Sequence, residues 1–327
     1  MASSKKDSHS IEMIGRLTSR HAIPSEEQAF AALHIALASG CNLWDGGEIY
    51  GTPDYNSLTL LNKYYALYPE DADKVVLNIK GAMRPGWRPD GSPEFVRESV
   101  EKCLRMLGER GRIDMFECAR RDPKVPLGET LGALAELVNE GKIGGVALSE
   151  ASADTVRQAV KITKIVAVEV ELSLWSTEPL TNGIADACAE FGIPIIAYAP
   201  IGRGMLTGQI KSFEDIPQKD LRKILPRYQP ENFENNIKLV KELEKMAHKK
   251  HCTTAQLALA WIRSLSNKKG MPQIIPIPGA TTVERIKENA VEVELTEVEM
   301  KDIDAILARC EVIGDRYHPM GMTMING

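Results

Sequence analysis

No apolar run in this chain approaches the roughly 20 residues that a bilayer-crossing helix needs, so a membrane span is not expected. A G-x-G-x-x-G turn after a first strand is also missing, which argues against an open dinucleotide-binding sheet. The six cysteines (41, 103, 118, 188, 252 and 310) include no C-x-x-C and no metal-type spacing. They read as free thiols in a reducing compartment, and no metal site is expected. Neither sign of charge dominates: the net charge is −5 over 327 residues with both signs interspersed, which excludes nucleic acid and anionic membrane as natural partners. The first ten residues lack the apolar core of a secretory signal, and the closing Met-Ile-Asn-Gly is neither a peroxisomal nor a prenylation signal. A cytosolic protein is expected, with the nucleus as the alternative compartment.

What is present is an alternation. With 43% hydrophobic residues the chain can bury a large core. Short β-branched runs at 42–45, 75–79, 113–118, 144–148, 165–170, 193–198 and 274–277 read as strands. Between them, 25–39, 93–107, 127–139, 153–161 and 180–191 follow a helical period. This switch predicts a parallel sheet with crossover helices, covered on both faces. Seven strands each followed by a helix favour a closed eight-stranded (β/α)8 TIM barrel over an open sheet. The domain is expected over 11–327, behind a disordered polar stretch at 1–10. For the eighth strand only 11–17 is available, and Ile-Glu-Met-Ile-Gly-Arg-Leu is a poor core strand, so the first barrel strand is expected to be shortened or missing. A long loop, 201–230, opens with Gly202-Arg-Gly-Met-Leu-Thr-Gly208 and leaves the C-terminal end of a strand, where barrels carry function.

One constellation carries chemistry. Asp45 and Tyr50 lie five residues apart at the end of one run, and Lys80 closes the next. An ammonium beside a phenol favours its ionised form, and a carboxylate holds the ammonium in place. Such a trio makes a proton donor for a carbonyl that is receiving a hydride. Taken singly, each residue reads as a buried ion pair or a chance loop tyrosine. Trp44, Tyr55, Trp87 and Trp175 are candidates to line a substrate mouth, with core packing as the alternative. The histidines lie at the termini or on helices and suit surface or satisfied core positions.

Five collinear motifs resemble the aldo-keto reductases: Trp44-Asp45…Glu48-Ile-Tyr50-Gly51, Lys80, Gly141-Lys-Ile-Gly-Gly-Val-Ala-Leu-Ser149, Ile196-Ala-Tyr-Ala-Pro-Ile-Gly-Arg-Gly-Met-Leu-Thr-Gly208, and Ile275-Pro-Ile-Pro-Gly-Ala-Thr-Thr-Val-Glu-Arg285…Glu288-Asn289. Within that family Cys118-Ala-Arg-Arg-Asp122 and Leu148-Ser-Glu-Ala-Ser152 are most similar to the fungal pyridoxal reductase-like branch. The resemblance implies a barrel with NADPH extended across its C-terminal face. It makes Tyr50 the general acid, Lys80 the group that lowers its pKa, and Asp45 the partner of Lys80. Tyr198 would stack on the nicotinamide, with Ser149 and Glu169 at the carboxamide. Gly202, Gly204 and Leu206 would cover the pyrophosphate. Thr281, Thr282 and Arg285 would hold the adenosine 2′-phosphate, with Glu288 and Asn289 at adenine. The implied reaction is reduction of a small-molecule aldehyde, pyridoxal to pyridoxine in that branch.

Four departures keep alternatives open. Ala119 stands where the family usually has a histidine, removing one hydrogen-bond donor to the developing alkoxide, a loss of about 3 kcal/mol in comparable sites. Arg120 could help there or serve only as a structural ion-pair residue. Glu150 and Glu169 replace the usual Asn and Gln, and an ionised carboxylate cannot donate to the carboxamide oxygen. Arg285 with hydroxyls replaces a Lys-Arg pair, which still suits a phosphate monoester and favours NADPH over NADH. The usual first strand is about ten residues short. A reductase of another aldehyde or ketone, a catalytically weak nicotinamide-binding regulatory subunit and a poorly folded remnant therefore stand beside the leading reading.

Overall fold

A computed structural model describes residues 9–11, 14–18 and 23–327. It is a (β/α)8-type barrel sheet of eight strands in sequence order. They are β1 (His9–Ile11), β2 (Cys41–Gly47), β3 (Val76–Gly81), β4 (Met115–Cys118), β5 (Val146–Ser149), β6 (Ile165–Glu171), β7 (Ile195–Tyr198) and β8 (Ile274–Ile277). Pairing is parallel between β1 and β2, β2 and β3, β3 and β4, β4 and β5, and β6 and β7. A separate antiparallel hairpin, Met83–Arg84 with Arg88–Pro89, follows β3. Among the described residues no helix is long and apolar enough to cross a membrane.

Helices form where the sequence caps them. Ser25 accepts from the Gln28 amide to start α2 (Glu26–Ala38), whose first turn carries Glu26 and Glu27 against the helix dipole. Pro93 opens α4 (Pro93–Leu107), and Gly108, at φ 73°, ends it in the left-handed conformation that glycine adopts without penalty. Reciprocal capping boxes, Thr253 with Gln256 and Thr296 with Glu299, start α9 (Thr254–Leu265) and α11 (Glu297–Arg309). The apolar stripe of α4 buries Val96, Val100, Cys103 and Leu107.

The eighth strand is not where the sequence points. Residues 11–17 were the expected substitute, but Ile14–Thr18 is a short helix, α1, and among the described residues of that segment only Ile11 is in a strand. Three residues, His9–Ile11, pair with Cys41, Leu43 and Trp44, so the first strand is present in shortened form. The disordered stretch expected at 1–10 lies outside the described residues as far as 8, and His9 and Ser10 are ordered into β1. The helical-period run at 180–191 divides into a 3-10 turn (Glu178–Leu180) and α7 (Ile184–Phe191), with Gly183 at φ 88° between them. The long loop after β7 is a chain of 3-10 turns, Gly202–Thr207, Phe213–Asp215, Leu221–Ile224 and Pro226–Tyr228, leading to α8 (Pro230–Lys249).

Contacts divide the chain into two compact units, one of residues 1–119, 124–147 and 275–290, the other of 120–123, 148–274 and 291–327. The core of the first includes Leu33, Trp44, Tyr64, Ile79, Val100 and Phe116. That of the second includes Val168, Trp175, Ile195, Leu243 and Trp261.

Candidate active site

In the first unit, alternation along β2 sends Trp44 and Asp45 to opposite faces. Trp44 is fully buried, packs edge-on against Tyr64 at 5.9 Å between ring centres, and donates its indole N–H to the Cys41 carbonyl at 2.8 Å. It is a core residue and lines no mouth. Asp45 meets Lys80 of β3, with Nζ to Oδ1 at 2.7 Å. Glu117 of β4 takes the same ammonium at 3.0 Å. The Asn78 side-chain amide donates to Asp45 at 3.1 Å and to Glu117 at 3.4 Å. All four are buried. The register explains the grouping: Gly47 pairs with Lys80, Asp45 with Asn78, and Lys80 with Glu117, so adjacent strand ends deliver two carboxylates to one lysine.

Tyr50 follows on a turn closed by its amide on the Gly47 carbonyl at 3.2 Å. Its own carbonyl accepts from the Thr18 hydroxyl at 2.7 Å and from the Ser57 amide at 3.2 Å. A Cβ placed on Gly47 would lie 2.9 Å from the Lys80 carbonyl and 3.4 Å from the Tyr50 ring, so glycine lets the phenol lie against the lysine strand. The expected Asp45–Lys80 pair is present in the structure, and the Tyr50 turn lies against the Lys80 strand; sequence reasoning did not point to Glu117 or Asn78. Two acids in the 113–118 run, Asp114 and Glu117, were the available signal, because a buried charge demands a partner. Ala119 lies buried at the end of β4, its amide donating to the Gly81 carbonyl at 3.0 Å. Its methyl offers no hydrogen-bond donor.

The adenosine-side candidates also lie in the first unit. Thr282 caps α10 (Val283–Ala290), its hydroxyl accepting from the Arg285 amide at 3.3 Å. The Thr281 carbonyl accepts from Gln28 at 2.9 Å, which ties this turn to α2. Arg285 pairs with Glu288 at 2.9 Å, both part-exposed, and Asn289 is buried. A guanidinium and hydroxyls at a helix N-terminus form a donor set suited to a phosphate.

In the second unit, Ser149 ends β5 and accepts from Arg120 at 3.4 Å. Glu169 on β6 is buried, and its carbonyl accepts from the Glu150 amide at 2.9 Å. Glu150 Oε1 accepts from the Tyr198 hydroxyl at 2.7 Å and from the Glu171 amide at 3.1 Å. Arg316 donates to both of its oxygens, at 3.2 and 2.9 Å. Burial first, and then Glu150 and Tyr317, push the Tyr198 phenol well above its ordinary pKa, so it remains a protonated donor. Burial also pushes the Glu171 carboxyl up, but Arg203, followed by Arg316 and Arg227, outweighs it and holds the group below the usual range. In the Gly202–Thr207 turn the amides of Gly202, Gly204 and Leu206 bond to the carbonyls of Ala199, Ile201 and Ile201, so the turn itself uses all three. A Cβ on Gly202, at φ 57°, would stand 2.9 Å from Trp175. Trp175 is buried beside Tyr228, whereas Trp87 is 59% exposed on the hairpin and Tyr55 is half-buried near Lys63. Three strand ends are followed by a non-glycine residue in the left-handed region: Ala82, Glu150 and Ala199, at φ 57°, 50° and 48°.

Comparison with known proteins identifies the family. The aldo/keto reductase family profile matches residues 14–308. A Schizosaccharomyces pombe protein named "Probable pyridoxal reductase 2" is 41% identical over 302 residues, 89% of each chain. "Aldo-keto reductase str7" of Strobilurus tenacellus is 34% identical, over 93% of this chain and 88% of its own length. Among solved structures, the glycerol dehydrogenase AKR11B4 from Gluconobacter oxydans superposes with a TM-score of 0.79 at 25% identity, over 94% of this chain and 91% of that one.

Proposed function

Because this chain belongs to the aldo/keto reductase family, we propose that it reduces an aldehyde to an alcohol with NADPH, with pyridoxal to pyridoxine as the reaction. The observation that carries the proposal is the buried Asp45–Lys80 ion pair, 2.7 Å long, on the strand against which the Tyr50 turn packs. Bound NADPH supplies the hydride that the carbonyl carbon receives. The Tyr50 hydroxyl donates a proton to the carbonyl oxygen. Lys80 stabilises the phenolate left behind, since a nearby cation favours the ionised form. Asp45 and Glu117 keep that ammonium charged and fixed. Without a histidine at position 119, proton delivery rests on Tyr50 and Lys80.

The donor sets suit the cofactor's parts. Arg285, with Thr281 and Thr282, would hold the 2′-phosphate, with Glu288 and Asn289 for adenine. Gly202 and Gly204, with Leu206, would hold the pyrophosphate. Tyr198 would hold the nicotinamide ring, and Ser149 with Glu169 its carboxamide. Because Arg316 and Tyr198 already occupy Glu150, that carboxylate acts on the protein and not on the carboxamide. Pyridoxal as substrate draws support from the name of the S. pombe relative. Substrate and cofactor are tested together by following NADPH consumption with pyridoxal and a panel of aldehydes. Tyr50→Phe is expected to lower turnover by about 10²–10⁴-fold while leaving NADPH fluorescence quenching intact. Full turnover in that variant would refute the assignment.

Ala119 favours one second reading, a nicotinamide-binding subunit with weak chemistry. Quenching of NADPH fluorescence without turnover on any aldehyde of the panel would select it.

A further inference from the structure

The C-terminal segment brings a cation and a phenol into the second unit that the proposed mechanism does not use. Arg316 is 7% exposed and reaches two buried carboxylates, Glu150 at 2.9 Å and Glu171 at 3.5 Å. Arg203 is the second cation of the set, 2.9 Å from Glu171. The Tyr317 hydroxyl lies 2.9 Å from that of Tyr198 and accepts from Arg203 at 2.8 Å. Backbone bonds reinforce the attachment: the Gly327 amide donates to the Glu150 carbonyl at 3.1 Å, and its carbonyl accepts from Ser152 at 3.0 Å. Two carboxylates and two guanidiniums thus close a neutral buried cluster, and Tyr198 hangs from it by its hydroxyl.

We propose that Arg316 and Tyr317 are positioning residues for the nicotinamide side of the site: they hold Glu150 as a neutralised acceptor and, through it, fix the Tyr198 ring. This rests on the reading of Tyr198 as the residue beneath the nicotinamide. The physical case is that a buried carboxylate left without a counter-charge takes up a proton or draws in water, and either change removes the acceptor that orients Tyr198. An amide at position 150 would not need the arginine. A glutamate does, and the chain supplies one from 166 residues away. The charged and titratable groups facing Glu150 are Arg316 and Tyr317 from the C-terminal segment, Tyr198 from β7, Glu171 from β6, and Arg203 from the following turn. Arg120 and Arg227 act at longer range, on Tyr198 and Glu171 respectively.

The test measures the NADPH Kd by fluorescence quenching from pH 5.5 to 8.5 in the full-length protein. Arg316→Gln is expected to raise the Kd about tenfold at pH 8.5. Glu150→Gln/Arg316→Gln removes both charges and is expected to bind within about threefold of the parent with no added pH dependence. Tyr317→Phe keeps both arginines and the fold. It is expected to raise the Kd about threefold at every pH, the scale of one lost neutral hydrogen bond. Parental binding in both Arg316→Gln and Tyr317→Phe would overturn the inference. So would a double variant as weak as Arg316→Gln, because lost packing and not unpaired charge would then be responsible. If Arg316→Gln does not fold, Tyr317→Phe and the double variant decide. Failure of the nicotinamide reading itself would appear separately, as a parent protein that does not quench NADPH.

Discussion

Removing the Lys80 ammonium while keeping its bulk, as in Lys80→Met, isolates what that charge does for the fold. Lys80 is 4% exposed, Asp45 1% and Glu117 0%, so water does little to screen either ion pair. At 2.7 and 3.0 Å each attraction is about 6 kcal/mol for an effective dielectric of about 20, before desolvation is subtracted. Most of that gross energy offsets the desolvation of three charges, so the net value of the cluster is small. Breaking it is another matter. Loss of one partner from a buried pair costs about 3–5 kcal/mol, because the remaining charge is stranded. Here the Asp45 and Glu117 carboxylates, which share the Asn78 amide as a donor, would be left without that ammonium.

Urea unfolding at pH 8 should therefore show a loss of about 3–5 kcal/mol. Lys80→Met/Glu117→Gln strands one carboxylate fewer and should recover part of that loss. A loss below about 1 kcal/mol, or no recovery in the double variant, would refute the stranded-charge argument, since those outcomes describe a surface pair or lost packing.

Three further outcomes follow from the same structure. Gly81→Ala places a methyl 2.5 Å from the Phe116 ring and 2.5 Å from the Ser99 hydroxyl, which bridges the Ala82 amide and Glu48. The urea midpoint should drop by an amount worth about 1–3 kcal/mol, and an unchanged midpoint would mean that the ring gives way freely. Arg285→Ala should raise the Kd for NADPH by about 10–100-fold and leave that for NADH nearly unchanged. Equal losses for both cofactors would remove Arg285 from the 2′-phosphate. Glu171 has a depressed folded pKa, so its stabilisation is complete above the unfolded value of about 4.3 and is lost as pH falls through the folded value. Acid unfolding should accordingly be less steep below about pH 4 in Glu171→Gln, and an identical acid limb would contradict this.

The barrel was legible because its strands are short and mostly apolar, and several helices carry their own start signals. The segment at 93–107 coincides with α4, and that at 127–139 with the helix Leu127–Asn139. The first strand was not legible, since a three-residue strand is shorter than any period a sequence can display. Asp45, Tyr50 and Lys80 could be found because each lies in a motif with fixed spacing. Glu117 and Asn78 could be found only through strand register, which pairs them with Lys80 and Asp45. Arg316 was beyond reach altogether. Nothing local to residue 316 says that its partner is residue 150, and Glu150 read from sequence as an altered carboxamide ligand when its side chain is held by an arginine.

The left-handed residues that follow three of the strands, Ala82, Glu150 and Ala199, bear on how this chain could change. A side chain with a Cβ in that conformation sits about 1–2 kcal/mol above a helical or extended one, whereas glycine carries no such penalty. Stability is usually sought in the core, but Ala82 and Ala199 mark a reserve at the rim, in backbone that could be relaxed by losing a single methyl. Backbone held this way limits the conformations open to the loop that follows each strand. Evolution toward a new substrate could draw on that reserve: glycine at these positions would offset destabilising changes elsewhere, in exchange for loops that wander further from their present shape.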